Sequence, residues 1–170
     1  MRGVLVVRGV RHTDERGSLC KVLSTSTLRS AGFDLRVDDV LTTSNAVAGT
    51  VRGLHYQVAP HEETKTLWVT QGALYDVVVD VRPGEPTFGT WLSFRLSADD
   101  DIALHLPPGV AHGYQTLEPG TSLTYLMAGG HSPDHARTLR WDDDQLAITW
   151  PLTATMVSDK DRAGSTWPPH

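Results

Sequence analysis

Ala73-Leu74-Tyr75-Asp76-Val77-Val78-Val79-Asp80-Val81 is the stretch that decides the fold. In an extended chain Tyr75, Val77, Val79 and Val81 share one side. Leu74, Asp76, Val78 and Asp80 take the other, and Arg82 follows on that side. A period of two, β-branched residues and one wholly apolar face predict a strand. Similar runs lie to either side: Val4–Val7 (VLVV), Thr64–Thr70 (TKTLWVT) and Thr90–Leu96 (TWLSFRL). Turn signals punctuate them at Gln71-Gly72, at Arg82-Pro83-Gly84-Glu85-Pro86 and at Pro107-Pro108-Gly109. Helical pattern is scarce. Ser24–Ala31 reads as a short helix capped by Ser or Thr, and Asp142–Leu146 as a single turn. Many short strands broken by Gly and Pro predict an all-β sandwich or barrel with a few short helices.

The chain of 170 residues suits one domain spanning 1–170, with no linker, low-complexity tract or repeat. With 39% hydrophobic and 21% charged residues it is neither disordered nor fibrous in composition. Fifteen Lys and Arg against twenty Asp and Glu give a net charge of −5, which argues against a nucleic-acid partner. A local basic pocket for a small anion is still compatible with that balance. Cys20 is alone, so no internal disulfide and no Cys-rich zinc site is expected. It reads as a small hydrophobe. No apolar run approaches the ~18–20 residues that cross a bilayer. The start, MRGVLVVRGVRHTDERG, lacks a signal-peptide layout. The expectation is a soluble cytoplasmic protein with no membrane partner. Asp99-Asp100-Asp101 reads as a solvated loop, because adjacent carboxylates in a strand alternate direction and do not converge on one ion.

Three segments could carry chemistry: Val51-Arg52-Gly53-Leu54-His55-Tyr56-Gln57, Pro107-Pro108-Gly109-Val110-Ala111-His112-Gly113 and Ser158-Asp159-Lys160-Asp161. The second matches the Pro-x-Gly-x-x-His element of cupins, small double-sheet jelly rolls. Pro and Gly make a tight turn, and the strand that follows aims His112 into the barrel mouth. Metal-binding cupins carry a His-x-His pair and a Glu besides the later His. Here the stretch is His55-Tyr56-Gln57, so the second His of the pair is absent. His61 and Glu62 follow a Pro and read as loop residues. Ligands must converge at about 2.0–2.2 Å, so no metal and no cofactor is expected.

Longer ordered motifs extend the match. Arg52-Gly53-Leu54-His55-Tyr56-Gln57, Lys65, Gly72 to Arg82, Pro86-Thr87-Phe88-Gly89-Thr90-Trp91 and Pro108 to Tyr114 resemble the dTDP-4-dehydrorhamnose 3,5-epimerase family. So do Trp141-Asp142-Asp143, Ile148-Thr149-Trp150-Pro151 and the closing Ser158-Asp159-Lys160-Asp161. The resemblance runs from about Asp14 to Asp161. It implies a cupin jelly roll (a double-stranded β-helix) that forms a homodimer with exchanged N-terminal strands. It also implies metal-free epimerisation at C3 and/or C5 of a dTDP-4-keto-6-deoxyhexose.

Such a reaction removes a proton next to a ketone and returns one from the opposite face. It needs a base, an acid across the ring, and a cation or donor on the enolate oxygen. The resemblance makes His55 the base, with Asp161 as the carboxylate that fixes its tautomer. It makes Tyr125 the acid on the far face and Lys65 the cation beside the ketone oxygen. Arg52 and His112 would line the pocket. Arg16 would hold the diphosphate, given across the dimer, and Lys160 could do likewise.

The chain departs from the family pattern at several positions. Leu19 stands in place of an aromatic, and Lys21 reverses a charge. Val40 and Thr42 stand where Gln and Asn would line the nucleotide pocket. His131 replaces a second tyrosine near the sugar. These changes leave other readings open: a monoepimerase of a deoxysugar antibiotic pathway, a related cupin acting on a different keto substrate, or a non-catalytic sugar-binding cupin.

Overall fold

The structure is a computed structural model and describes residues 1–169. Its strands are β1 (Leu5–Arg8), β2 (Val10–Asp14), β3 (Gly17–Lys21), β4 (Asp39–Asn45), β5 (Thr50–Gln57), β6 (Thr64–Gln71), β7 (Ala73–Asp80), β8 (Trp91–Ser97), β9 (Ile102–Leu106), β10 (Val110–Thr116), β11 (Thr121–Ala128), β12 (Ala136–Thr138) and β13 (Met156–Val157). Helix α1 is Thr25–Ser30 and α2 is Asp159–Arg162. One sheet runs β1-β9-β6-β11-β4, and the other β12-β5-β10-β7-β8 with β13 beside β5. Most pairs are antiparallel, β13 on β5 being parallel. Strands β2 and β3 form a separate hairpin. The all-β jelly roll expected from the sequence is the architecture found.

Alternation explains the layering. Leu67 and Val69 of β6, Leu104 and Leu106 of β9, and Leu123 and Tyr125 of β11 point from the first sheet into the interior. Leu74 and Val78 of β7, and Val110 and Tyr114 of β10, meet them from the second. Each fully buried Leu or Val of this layer contributes roughly 1.5–3 kcal/mol of burial free energy. The wholly apolar face of β7 does not look into this layer. Val77, Val79 and Val81 pack outward with Leu54, Leu139 and Leu146, under a C-terminal cover that includes Trp150 and Trp167. Both faces of β7 are therefore buried, and the carboxylates of the mixed face lie between the sheets. At the end of β7, Asp80 takes two hydrogen bonds from the Arg82 guanidinium, at 2.8 and 2.7 Å, and another from Thr87. Further back, Asp76 is fully buried against His112, which lines the cavity described below.

The outer face of the first sheet is covered by α1 and the loop after it, where Leu28 packs on Val7 and Ala103 with Phe33 and Trp68 beside them. Helix α1 occupies the expected place, but Ser24 makes no side-chain cap bond. The Asp142–Leu146 turn forms around buried Asp143, whose carboxylate accepts from the backbone N–H of Gln145 and of Leu146. The Asp99–Asp101 loop is a turn, and Asp101 is held by Arg11 of β2.

Candidate active site

Strand β5 carries both Arg52 and His55, three positions apart, and a regular strand would turn them to opposite faces. A bulge prevents this. His55 pairs with His112 of β10, whereas Arg52 pairs with Tyr114, so β5 spends one residue more than its partner. Gly53 makes the bulge possible. Its φ is +113°, and a Cβ there would lie 2.6 Å from Gly113 Cα and 2.7 Å from the His112 carbonyl oxygen. Arg52 and His55 consequently both face a cavity of about 210 Å³, together with Leu41, Thr43, Lys65, His112, Tyr114, Tyr125 and Met127.

Asp161 reaches His55 from α2. Its Oδ1 is 2.6 Å from His55 Nε2, and Gly53 N–H donates to Oδ2 at 3.3 Å. Ser158 caps the helix by accepting from Asp161 N–H at 3.1 Å, which fixes the carboxylate's approach. Burial pushes the Asp161 carboxyl upward. Hydrogen bonding to His55, the imidazole's charge, the Gly53 N–H and Ser158 together outweigh that, and hold it below its ordinary value. An ionised carboxylate only accepts, so Nε2 carries the imidazole hydrogen and Nδ1 is left with the lone pair of a base.

Tyr125 lies on β11 of the opposite sheet and lines the same cavity as His55. Burial, with Tyr114 and Asp76 nearby, holds the Tyr125 phenol well above its ordinary pKa, so it keeps its proton. Lys65, on the neighbouring β6, is mostly buried and donates to the His55 carbonyl oxygen at 3.0 Å. His112 Nε2 lies 2.8 Å from Asp76 Oδ2, both side chains buried. Arg52 Nε donates to Asn45 Oδ1 at 2.8 Å, and Asn45 in turn donates to the Tyr114 hydroxyl at 3.2 Å.

The residues expected from the sequence thus divide. His55, Asp161, Tyr125, Lys65, Arg52 and His112 come together. Lys160 and Asp161 line an adjoining groove of about 350 Å³ that shares Arg52 and His55 with the cavity. Arg16 lies outside both. It sits on the exposed β2–β3 hairpin, paired with Asp14 at 2.6 Å. His131 is exposed on the loop after β11 and does not line the cavity. Sequence reasoning did not pick out Tyr114, Asn45, Asp76 or Glu63. The signal for Asp76 was available: a carboxylate alternating with Leu74 and Val78 is unusual for a solvated face. Among the described residues, no three His, Cys, Asp or Glu side chains gather as a metal-binding group.

A jelly roll with a carboxylate-steadied imidazole, a facing phenol and a cavity lysine defines an isomerase of the carbon-acid epimerase kind. A family model described as dTDP-4-dehydrorhamnose 3,5-epimerase matches residues 1–168, and the chain belongs to that family. A dTDP-4-dehydrorhamnose 3,5-epimerase from Sinorhizobium fredii is 38% identical over 93% of this chain and 82% of its own length. The solved enzyme of that name from Bacillus anthracis, with TDP and PPi bound, superposes with a TM-score of 0.93 at 38% identity, covering 96% of this chain and 93% of that one. A 3'-monoepimerase from Streptomyces bikiniensis in complex with dTDP-quinovose gives a TM-score of 0.90 at 32% identity, covering 96% of this chain and 83% of that one.

Proposed function

We propose that the protein inverts C3 and/or C5 of a dTDP-4-keto-6-deoxyhexose through the groups around this cavity. The observation that carries the reading is the His55–Asp161 pair facing Tyr125 across the two sheets, with Lys65 in the same cavity. His55 Nδ1 removes the α-proton, and the imidazolium that forms is stabilised by Asp161. The electrons move onto the ketone oxygen, where the Lys65 ammonium offsets the developing charge. Tyr125 then donates its proton from the opposite face, and the ketone is restored with the carbon inverted. A phenol suits this step because an enolate carbon is far more basic than a phenolate. Arg52 and Lys160 border the adjoining groove and supply charge for a diphosphate.

The proposal extends to a homodimer. The β2–β3 hairpin is almost wholly exposed, with Val10 53% and Leu19 73% accessible, and β4 presents Val40 and Leu41 at its sheet edge. Covering these residues with a second copy would bring Arg16 to the partner's groove. Among the described residues no helix is long and apolar enough to cross a membrane. A cytoplasmic location fits a diphosphate substrate, since a doubly charged group does not enter a bilayer unaided.

The test is incubation with dTDP-4-keto-6-deoxyglucose in deuterated water. Deuterium at C3, C5 or both is expected, and none at either carbon in folded protein refutes the reading. A second reading, a different keto substrate on another nucleotide, is favoured by the exposure of Leu19, Val40 and Thr42 in place of aromatic and amide side chains. Thermal stabilisation by dTDP but not by UDP, GDP or CDP rules against it.

A further inference from the structure

Two groups tie the Lys65 ammonium at the cavity wall. Glu63 Oε1 is 2.7 Å from Nζ, and the two side chains are only 13% and 9% exposed. The His55 carbonyl oxygen accepts from Nζ at 3.0 Å. An ammonium has three N–H donors. Two are used in this way, and the third remains for an oxygen in the cavity.

We propose that Glu63 is a positioning residue that holds the Lys65 ammonium at the cavity wall, beside the carbonyl of the base residue. The inference rests on the reading that Lys65 meets the substrate's ketone oxygen. Glu63 stands two residues before Lys65, on the approach to β6, so both side chains leave the chain on one side. The ion pair fixes a flexible side chain that would otherwise sample several rotamers. A carboxylate at this place also tempers the charge of the cation beside it.

Two measurements test the inference. In a crystal structure of Glu63→Gln, Nζ is expected to leave its place beside the His55 carbonyl oxygen, while in the native protein it stays there. An ammonium that keeps its place in the variant overturns the proposal. With dTDP-4-keto-6-deoxyglucose as the probe, Glu63→Ala is expected to lower kcat for proton exchange about 10- to 100-fold, as misplacing a catalytic group by about 1 Å does. KM should stay within about twofold. Glu63→Asp, which keeps the charge on a shorter stem, should recover part of the loss. An unchanged kcat, or a loss carried by KM, also overturns it. Should Glu63→Ala fail to fold, the near-isosteric Gln variant carries both measurements. Native protein that exchanges no proton on the keto sugar defeats the functional reading, yet the crystal structure of Glu63→Gln still decides the role of Glu63.

Discussion

His55 Nε2 and Asp161 Oδ1 are 2.6 Å apart although 106 residues separate them in the chain. The two ends of this bond are fixed independently. His55 is aimed by the bulge at Gly53, and Asp161 by the Ser158 cap of α2. The Gly53 N–H donates to the same carboxylate, so the bulge and the cap meet at one group.

Replacing the base removes the first step altogether. His55→Ala should lower deuterium exchange at both C3 and C5 by about 10²–10⁴-fold, the range supplied by a positioned general base. Carbon-resolved NMR of the product reads this directly. Exchange that survives at one carbon would assign that carbon to another base.

Asp161→Asn should cost a similar factor, because an amide can donate to the imidazole and select the wrong tautomer. It should also change stability with a definite sign. The folded pKa of Asp161 lies below its ordinary value of 3.8. Its contribution is therefore complete above that pH and is lost as pH falls through the lower folded value. Native protein and variant should differ in Tm at pH 7 and converge in strong acid.

Asp76 carries the opposite sign. Burial raises its carboxyl above 3.8, against the opposing effects of His112 and Lys65. Ionising it in place costs stability as pH rises above 3.8. Asp76→Asn should raise Tm at neutral pH by about 2–4 °C for each 1 kcal/mol relieved, with no gain below the carboxylate range. A lower Tm at pH 7 would mean that the His112 ion pair outweighs the burial cost.

Tyr125→Phe separates the two proton transfers. The cavity keeps its shape, His55 still removes the α-proton, and the donor on the far face is gone. Exchange should persist within about tenfold while net inversion falls by 10²–10⁴-fold. Parallel loss of both would show that Tyr125 also acts in the first step.

The jelly roll was legible because alternation and turn residues are local. The expected strands at Ala73–Val81 and Thr64–Thr70 fall on β7 and β6. What stayed hidden is what local pattern does not encode. The apolar face of β7 reads as the core face, but it packs beneath the C-terminal cover, because that cover comes from residues 139–167. Arg52 and His55 share the cavity only through a bulge, which a period of two does not anticipate. Strands β2 and β3 carry no apolar face, so the residue pattern does not mark them, and only the family resemblance implied N-terminal strands there. The partnership of His55 with Asp161 was available through resemblance to a family, not through spacing. Glu63 carried no signal of its own in the sequence, since only folding shows its carboxylate on the Lys65 ammonium.

The hairpin supplies the last prediction. Within one chain, among the described residues, the Arg16 guanidinium has only Asp14 as its partner and stands apart from the cavity, so it serves no substrate there. Leu19 is 73% and Val10 53% exposed on this hairpin, apolar area that a covering surface would remove from water. If a second copy is that surface, Leu19→Asp should shift the mass seen by light scattering from dimer to monomer. Arg16→Ala should leave the dimer intact and raise KM for the nucleotide sugar roughly tenfold, the scale of one charge-assisted contact to phosphate. The two variants separate assembly from binding. A native protein that is already monomeric at micromolar concentration would remove both the exchange of strands and the role of Arg16 in a neighbour's site.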